Sequence, residues 1–324
     1  MERCDQESGL QEGDRYLIVN PFFHSFGYKA GWMAAFMRGC TIFPLPVFDV
    51  PTILRMVSEE KISVLPGPPT LYQSILAHPE LNTFDTSSLR VAVTGAAAIP
   101  VSMIQQMRDE LGFDTIITAY GLTEVCGFAT LCRAGDDPGL IANTSGRAMP
   151  GIEVRCVDGE GKDVTAGSPG EVVIRGYNLM QGYFENPVAT AEIIDSDGWL
   201  HTGDIGVLDE RGYLKITDRM KDMFITGGFN VYPAEIEKLM SSHKAIAQVA
   251  VVGVPDERMG EVAMAYVIPV AGERLNKEDV VNWCRQAMAN YKVPRHVSIV
   301  NSLPTNASGK VLKFELKEQA KKRV

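Results

Sequence analysis

The sequence predicts an α/β fold followed by a smaller α+β domain, and three observations lead to this prediction. Over residues 1–142, short apolar segments alternate with amphipathic helical segments, which is typical of a mainly parallel sheet covered by helices. Glycine and proline then become frequent, and residues 143–217 predict short strands in a small, barrel-like β subdomain. Residues 218–324 mix strands and helices again, within about 100 residues, the usual size of one domain.

Local patterns predict the elements of the first region. Runs of apolar and β-branched residues predict buried strands at Tyr16–Val19, Thr41–Leu45, Ser63–Leu65, Leu89–Thr94 and Thr115–Ala119. Helical periodicity predicts helices at Gly27–Arg38, Val50–Glu60 and Pro100–Leu111. Open α/β sheets bind ligands beyond the carboxyl ends of their strands, so we expect functional residues there.

The later regions are predicted in the same way. In the β-rich part, the expected strands are Glu153–Val157, Glu171–Ile174, Gly206–Leu208 and Tyr213–Ile216. In the last part, a strand pair flanks Gly227-Gly228, a helix begins near Pro233, and further strands are expected at Ala247–Val254 and Glu261–Pro269. Asn276 is the expected N-cap of an amphipathic helix over Lys277–Ala289.

Composition and charge exclude several classes of protein. The net charge of −9 and the pI near 5.2 argue against a nucleic-acid binder, because no basic stripe offsets the acidic surface. The six cysteines are far apart and lack CxxC spacing, which favours reduced thiols over disulfides or a zinc site. The start of the chain is polar, and no apolar run approaches the roughly 20 residues of a transmembrane helix. We therefore expect a cytoplasmic protein without a transmembrane segment.

Four short motifs follow one another in the sequence and hold the candidate functional residues. They are Tyr120–Glu124 (YGLTE), Thr202–Asp204 (TGD), Asp218–Asp222 (DRMKD) and Asn306–Lys310 (NASGK). Each motif alone has an ordinary explanation, such as a polar loop, a turn, a charged linker or a solvated lysine. Their order within one chain makes a shared function the better interpretation.

The residue types in these motifs are those needed to transfer AMP to a carboxylate. Tyr120 offers an aromatic face for adenine, Thr123 a hydroxyl for a phosphate, and Glu124 a hard oxygen ligand for Mg²⁺. A carboxylate such as Asp204 accepts hydrogen bonds from both ribose hydroxyls. Lys310 is a flexible cation that is able to offset negative charge as it develops.

This ordered set resembles the adenylate-forming superfamily, which includes acyl-CoA synthetases, firefly luciferase and peptide-synthetase adenylation domains. The chain looks like the C-terminal part of an acyl-CoA synthetase-like large domain followed by the small mobile domain. The resemblance implies ATP or AMP, Mg²⁺ and CoA as cofactors and a small carboxylic acid as substrate. It implies no nucleic-acid partner, and it leaves homodimerisation open.

The resemblance also assigns roles to individual residues. The nucleotide-binding residues are Gly95, Ala96, Ala97, Ala119, Tyr120, Gly121, Thr123, Asp204, Ile216 and Arg219. The catalytic residues are Lys310, Thr123, Glu124 and His24, with Glu124 also the metal ligand. Lys221 is the hinge between large and small domains, and Gly227 and Gly228 line the CoA tunnel.

Two of these assignments have a competing structural interpretation. Small residues over Thr94–Ala98 allow a flat ligand to approach the backbone, but they also suit a tight strand-to-helix turn. His24 lies among the aromatic residues of Pro21–Gly27 (PFFHSFG), where it is either a core histidine or a residue that gates and orients the acyl carboxylate.

The expected function is that of an ATP-dependent acyl-CoA ligase, which forms an acyl-AMP intermediate and then a thioester. Gly227–Glu237 resembles medium- and long-chain acyl-CoA ligases, whereas Asn20–Gly31 and Ala289–Pro294 look closest to actinobacterial-type ligases, including those for steroid-ring propionates. The Ser/Thr/Gly-rich phosphate loop that the superfamily places upstream is not in this sequence. The alternative is therefore a non-catalytic fragment that binds AMP or acyl-AMP, or one half of a split enzyme.

Overall fold

The computed structural model describes residues 9–95, 99–306 and 310–321. The chain divides into two compact units. Unit 1 comprises residues 1–202 and 206–216, and unit 2 comprises residues 203–205 and 217–324. The predicted fold class, an α/β part followed by a small α+β part, is confirmed by the elements of these units.

A mainly parallel sheet lies at the centre of unit 1. Its strands are β1 (Arg15–Ile18), β2 (Thr41–Pro44), β3 (Val91–Gly95), β4 (Thr115–Tyr120), β5 (Thr130–Leu131) and β6 (Arg147–Ala148). The pairs β1–β2 and β3–β4 are parallel, and β5 is antiparallel to both β4 and β6. The predicted strand Ser63–Leu65 is reduced to a bridge at Val64, which joins Tyr16 to Val91. The prolines at positions 66 and 68 offer no N–H group with which to extend that ladder.

The helices of unit 1 are α1 (Ser25–Gly27), α2 (Ala34–Met37), α3 (Val50–Glu59), α4 (Pro69–Leu76), α5 (Val101–Asp109), α6 (Pro138–Asn143) and α7 (Pro187–Ile193). The helix predicted at Gly27–Arg38 is present but interrupted, because a π-helical turn, Tyr28–Met33, lies between α1 and α2. The break falls at Gly31, whose ψ angle of −109° is not helical. Helices α4, α6 and α7 were not predicted, although each has a proline in its first turn.

The β-rich region contains β7 (Ile152–Val157), β8 (Pro169–Gly176), β9 (Leu200–Leu208) and β10 (Leu214–Arg219), in the order β10-β9-β8-β7. One apolar core extends through unit 1, from Leu17 in the parallel sheet to Val172 and Leu214 in the β-rich region. The ends of β3 and β4 are therefore packed on the same apolar core as the β-rich region.

Unit 2 contains β11 (Phe224–Thr226), β12 (Phe229–Val231), β13 (Ile246–Asp256), β14 (Gly260–Pro269) and β15 (His296–Ile299), with helices α8 (Pro233–Met240), α9 (Lys277–Ala287) and α10 (Lys313–Lys321). Strands β13 and β14 form a long antiparallel pair, and β15 is parallel to β14. Alternate residues of this pair face two separate cores. Helices α8 and α9 contribute to one core and α10 to the other. Among the described residues, no helix is long and apolar enough to cross a membrane.

Candidate functional site

The residues predicted to be functional fall into two groups, one in each unit. Unit 1 holds His24, Gly95, Ala119, Tyr120, Gly121, Thr123, Glu124 and Ile216. Unit 2 holds Asp204, Arg219, Lys221, Gly227, Gly228 and Lys310. Ala96 and Ala97 lie outside the described residues.

In unit 1, the group forms where two parallel strands end. Gly95 is the last residue of β3 and pairs with Ala119, while Tyr120 ends β4. A Cβ atom at Gly95 would lie 2.8 Å from the Ala119 carbonyl oxygen, and one at Gly121 would lie 2.1 Å from the Gly127 carbonyl oxygen. Both positions therefore require glycine, because the neighbouring backbone fills the space of a side chain.

Glu124 lies in a one-turn 3-10 helix, Thr123–Val125, directly after this edge. One carboxylate oxygen accepts a hydrogen bond of 2.8 Å from the hydroxyl of Tyr183, and the Glu124 carbonyl accepts one of 2.7 Å from the Met180 N–H. Burial, together with the Glu124 carboxylate, raises the pKa of Tyr183. These bonds orient the carboxylate on which the predicted metal site depends.

Asn178 holds the same loop from the segment that follows β8. Its buried side-chain amide donates to the carbonyls of Val125 and Phe128, at 3.0 and 2.8 Å. Neither Asn178 nor Tyr183 was predicted from sequence, because each contacts a loop more than 45 positions away, at separations of 53, 50 and 59 residues. Such contacts leave no local pattern in the sequence.

The surroundings of Glu124 decide which kind of metal site fits. Among the described residues, no group of three or more His, Cys, Asp or Glu side chains is placed to hold an ion. Mg²⁺ at nucleotide sites uses one or two carboxylates, several waters and the phosphates of the substrate. Glu124 offers one carboxylate of this kind.

In unit 2, the group is built from oppositely charged side chains. The Nε atom of Arg219 lies 3.5 Å from Oδ1 of Asp204, whose side chain is only 13% exposed. The Met220 N–H donates to the Gly203 carbonyl at 2.8 Å, which fixes the backbone next to both residues. Asp204 is thus a largely buried carboxylate, an acceptor of hydrogen bonds, with a cation beside it.

Lys310 belongs to the same group. Its N–H donates to Oδ1 of Asn306 at 2.9 Å, and the Asn306 N–H donates to the Lys310 carbonyl at 2.9 Å. Although much of Lys310 is exposed, partial burial of its amine lowers its pKa. The positive charges of Arg219 and Lys221 lower the pKa further, while Asp204 opposes them. Charged residues from two other motifs therefore influence the amine of Lys310.

The predicted hinge follows a buried carboxylate. Asp218 accepts hydrogen bonds from the Arg219 N–H at 2.7 Å and the Ala234 N–H at 2.8 Å, and burial raises its pKa. Lys221 itself is exposed, in a turn where the Asp222 N–H donates to the Arg219 carbonyl at 3.0 Å. The fixed carboxylate of Asp218 is thus followed within three residues by the exposed residue Lys221.

Gly227 and Gly228 connect β11 to β12, and both have left-handed backbone, with φ of +55° and +88°. Such a two-residue hairpin turn strongly favours glycine at both positions. A Cβ atom at Gly228 would meet no heavy atom within 4 Å. Turn geometry therefore explains these glycines, and Gly228 faces open space.

His24 and Ile216 complete the predicted set in unit 1. His24 is exposed, and its Nδ1 atom accepts a hydrogen bond of 3.2 Å from the Phe26 N–H, as the N-cap of α1. The interpretation of His24 as a core histidine is therefore wrong. Its neighbour Phe23 is 81% exposed. Ile216 is half-buried and packs against the core of unit 1.

Comparisons with known proteins were made for the whole chain. Residues 1–184 match the family model of the AMP-binding enzymes, and residues 235–310 match the model of the AMP-binding enzyme C-terminal domain.

Among curated relatives, two are 3-[(3aS,4S,7aS)-7a-methyl-1,5-dioxo-octahydro-1H-inden-4-yl]propanoyl:CoA ligases. The one from Rhodococcus jostii is 54% identical over 95% of this chain and 58% of its own length. The one from Mycobacterium tuberculosis is 50% identical over 95% of this chain and 59% of its own length. This chain thus spans less than two thirds of the length of these relatives.

Among solved structures, ATP-bound MatB from Rhodopseudomonas palustris has a TM-score of 0.90 and 32% sequence identity. The match covers 99% of this chain and 63% of that protein. The folds of both units therefore have a counterpart in a structure that was solved with ATP.

Proposed function

Since this chain belongs to the family of AMP-binding enzymes, we propose that it acts as an ATP-dependent acyl-CoA ligase. The substrates are a carboxylic acid, ATP and CoA, and the products are an acyl-CoA thioester, AMP and pyrophosphate. Two relatives that are at least 50% identical bear the names of propanoyl:CoA ligases, which supports this reaction class.

The observation that supports the proposal best is the grouping of Asp204, Arg219 and Lys310. These residues come from three motifs, yet the Asp204 and Arg219 charges both act on the Lys310 amine. A carboxylate for ribose hydroxyls beside a cation for a phosphate is what an adenylate-forming site requires.

In the first step, an oxygen of the substrate carboxylate bonds to the α-phosphorus of ATP, and the bond from that phosphorus to pyrophosphate breaks. Lys310 offsets the negative charge that develops on the α-phosphate oxygens. Asp204 and Arg219 hold the ribose, and Tyr120 stacks on adenine beside Gly95, Ala119 and Gly121. Mg²⁺ held by Glu124 would neutralise phosphate charge when it is bound.

In the second step, the thiolate of CoA attacks the acyl carbonyl carbon, and AMP leaves with the electron pair of the broken bond. We propose that Lys221 is a hinge, whose backbone angles change after the first step and before the second. The open space beside Gly228 supports a passage for the pantetheine arm of CoA.

We propose a hydrophobic bicyclic or ring-bearing propanoate as the acid, or a fatty acid as the broader class. The printed names of the two relatives support the ring-bearing acid. The exposed aromatic side chains of Phe22 and Phe23, next to His24, offer apolar contact area for it. The proposed location is the cytoplasm, because the six cysteines are far apart in the sequence and lack CxxC spacing.

Two assays on the same protein test this function. In the first, ATP, Mg²⁺, the acid and labelled pyrophosphate report acyl-AMP formation through isotope exchange. In the second, synthetic acyl-AMP and CoA report thioester formation by mass spectrometry. We expect thioester formation above the uncatalysed rate, together with acid-dependent exchange, and the absence of both would contradict the proposal.

The second candidate is a binding module that retains AMP or acyl-AMP without turnover. This candidate is motivated by residues 1–324 themselves, which contain the predicted adenosine-binding residues but no Ser/Thr/Gly-rich loop whose backbone N–H groups would bind the β- and γ-phosphates. Tight binding of an acyl-AMP mimic with neither assay positive would favour this candidate. Activity that appears only after addition of a separate N-terminal polypeptide would favour a split enzyme.

A further inference from the structure

A partly buried ion pair lies three residues beyond Lys310. Nζ of Lys313 lies 2.8 Å from Oε1 of Glu237, and the two side chains are 18% and 21% exposed. The same Glu237 oxygen accepts a hydrogen bond of 2.7 Å from the Val251 N–H. Glu237 therefore connects α8, which contains it, to the first residue of α10 and to β13.

A second buried carboxylate, Asp218, lies within the electrostatic reach of Lys313. Burial raises the pKa of both Asp218 and Glu237, and the positive charge of Lys313 opposes this rise in both. Buried carboxylates without a cation are costly, so one lysine here stabilises two acids on different elements. Asp218 lies at the end of β10, directly before Arg219 and the predicted hinge.

The residues that directly follow Lys310 join it to this cluster. Thr305 and Val311 form a bridge, and the Leu312 N–H donates to the Pro304 carbonyl at 2.8 Å. Helix α10 then begins at Lys313, and its residue Leu316 is buried in a core of unit 2. The Tyr266 hydroxyl donates to the Leu316 carbonyl at 3.0 Å. The loop thus has a fixed end from which Lys310 extends.

We infer that Lys313 is a positioning residue, which fixes the backbone that directly follows Lys310 to the carboxylate of Glu237. The Lys313 side chain is only 18% exposed, and its amine is engaged by Glu237. The inference rests on the proposed function for its catalytic meaning, since Lys310 is the residue positioned. The effect of Lys313 on the backbone at Lys310 does not depend on turnover, so it can be measured on the protein without substrates.

The main test compares the paired variant Lys313→Met with Glu237→Met against the unchanged protein. The pair replaces both charges of the ion pair with apolar side chains of similar length, so neither partner is left without the other, while Asp218 also loses the Lys313 charge. Hydrogen exchange at the Lys310 amide and the labelling rate of the Lys310 amine by an acylating reagent are measured by mass spectrometry. We expect exchange to rise by about tenfold, and the labelling rate to change, while circular dichroism shows a folded protein.

Three further variants make the test specific. Lys313→Arg keeps the cation and should restore slow exchange, whereas Lys313→Met alone should raise exchange and lower stability. Lys244→Met, at an exposed lysine before β13, is the matched control and should change neither readout. Exchange and labelling within about twofold of the unchanged protein, in a folded paired variant, would overturn the inference.

A separate readout distinguishes this inference from the proposed function. If both hold, the paired variant should slow pyrophosphate exchange by about tenfold and change thioester formation from supplied acyl-AMP by less than about threefold. Faster amide exchange in a protein that catalyses neither step would support the role of Lys313 and contradict the ligase. Unchanged exchange at the Lys310 amide in an active ligase would support the proposed function and contradict the role of Lys313.

Discussion

The two groups of motif residues are held in place by different physical means. In unit 1, Gly95 and Gly121 lie where the neighbouring backbone leaves no room for a side chain. In unit 2, Asp204, Arg219 and Lys310 interact through charge. Substitutions should therefore act through steric overlap in unit 1 and through electrostatics in unit 2, where pH and salt should modify them.

The steric half of this comparison gives the largest expected effect. Gly121→Ala would place a Cβ atom 2.1 Å from the Gly127 carbonyl oxygen, so the backbone must move. We expect a loss of about 3 kcal/mol in the free energy of unfolding of unit 1, measured by urea denaturation. Gly159→Ala is the control, because its Cβ atom would meet nothing within 4 Å. A cost at Gly121 no larger than at Gly159 would contradict the steric account.

The charged residues of unit 2 predict a smaller loss. It affects the free energy of AMP binding and not that of unfolding. Asp204→Ala should weaken AMP binding by about 1–3 kcal/mol, because ribose hydroxyls lose their acceptor. Isothermal calorimetry measures this, with Glu257→Ala as the exposed control in unit 2. For the polypeptide of residues 1–324, AMP should bind at least as tightly as ATP, because these residues include no Ser/Thr/Gly-rich phosphate loop. Unchanged AMP binding by Asp204→Ala, or ATP binding more than about tenfold tighter, would show the nucleotide site to be misplaced.

Tyr183 tests whether unit 1 also depends on a polar contact. Tyr183→Phe removes the donor to Glu124 and should cost about 0.5–1.5 kcal/mol of local stability. Faster hydrogen exchange at the Met180 amide, which donates to the Glu124 carbonyl, would report this loss. Glu124→Gln keeps an acceptor oxygen and should change exchange less. Equal exchange in both variants and the unchanged protein would contradict a stabilising role for the Tyr183 hydrogen bond.

The smallest effect concerns pH and His201. Its Nδ1 atom lies 2.8 Å from Glu171, and this hydrogen bond raises the pKa of His201 above its ordinary value of 6.5. The contact of protonated His201 with Glu171 therefore stabilises the folded state. Its contribution to the free energy of unfolding is fully present below pH 6.5 and is lost as pH rises through the pKa of His201 in the folded state. Unit 1 should therefore resist urea less as pH rises through this window. His201→Gln and Glu171→Gln should both flatten this dependence, and a profile unchanged by either would contradict the assignment.

Sequence predicted the parts of the fold that depend on local pattern. Strands β1 to β4 and the pair β13–β14 are apolar segments whose burial follows from composition, so their places were close to correct. The helix break at Gly31 was missed, because nothing in the residue pattern distinguishes a π-helical turn from a regular one.

The candidate site was predicted to a similar extent. The strand-end position of Gly95, Tyr120 and Glu124 followed from the order of strands and motifs. The contacts of Tyr183 with Glu124 and of Lys313 with Glu237 did not, since each joins residues distant in sequence without any periodic signal. The functions proposed for these residues stay predictions until they are measured.

The charges of unit 2 are proposed to serve acyl-AMP formation, and Lys310→Ala tests this role most directly. The two half-reactions are measured on the same preparation, as pyrophosphate exchange and as thioester formation from supplied acyl-AMP. We predict that exchange falls by about 100-fold or more, because a cation facing the developing charge is lost, while thioester formation changes by less than about threefold. Equal losses in both half-reactions, or an exchange rate that survives the substitution, would contradict the role of Lys310 and the claim built on it.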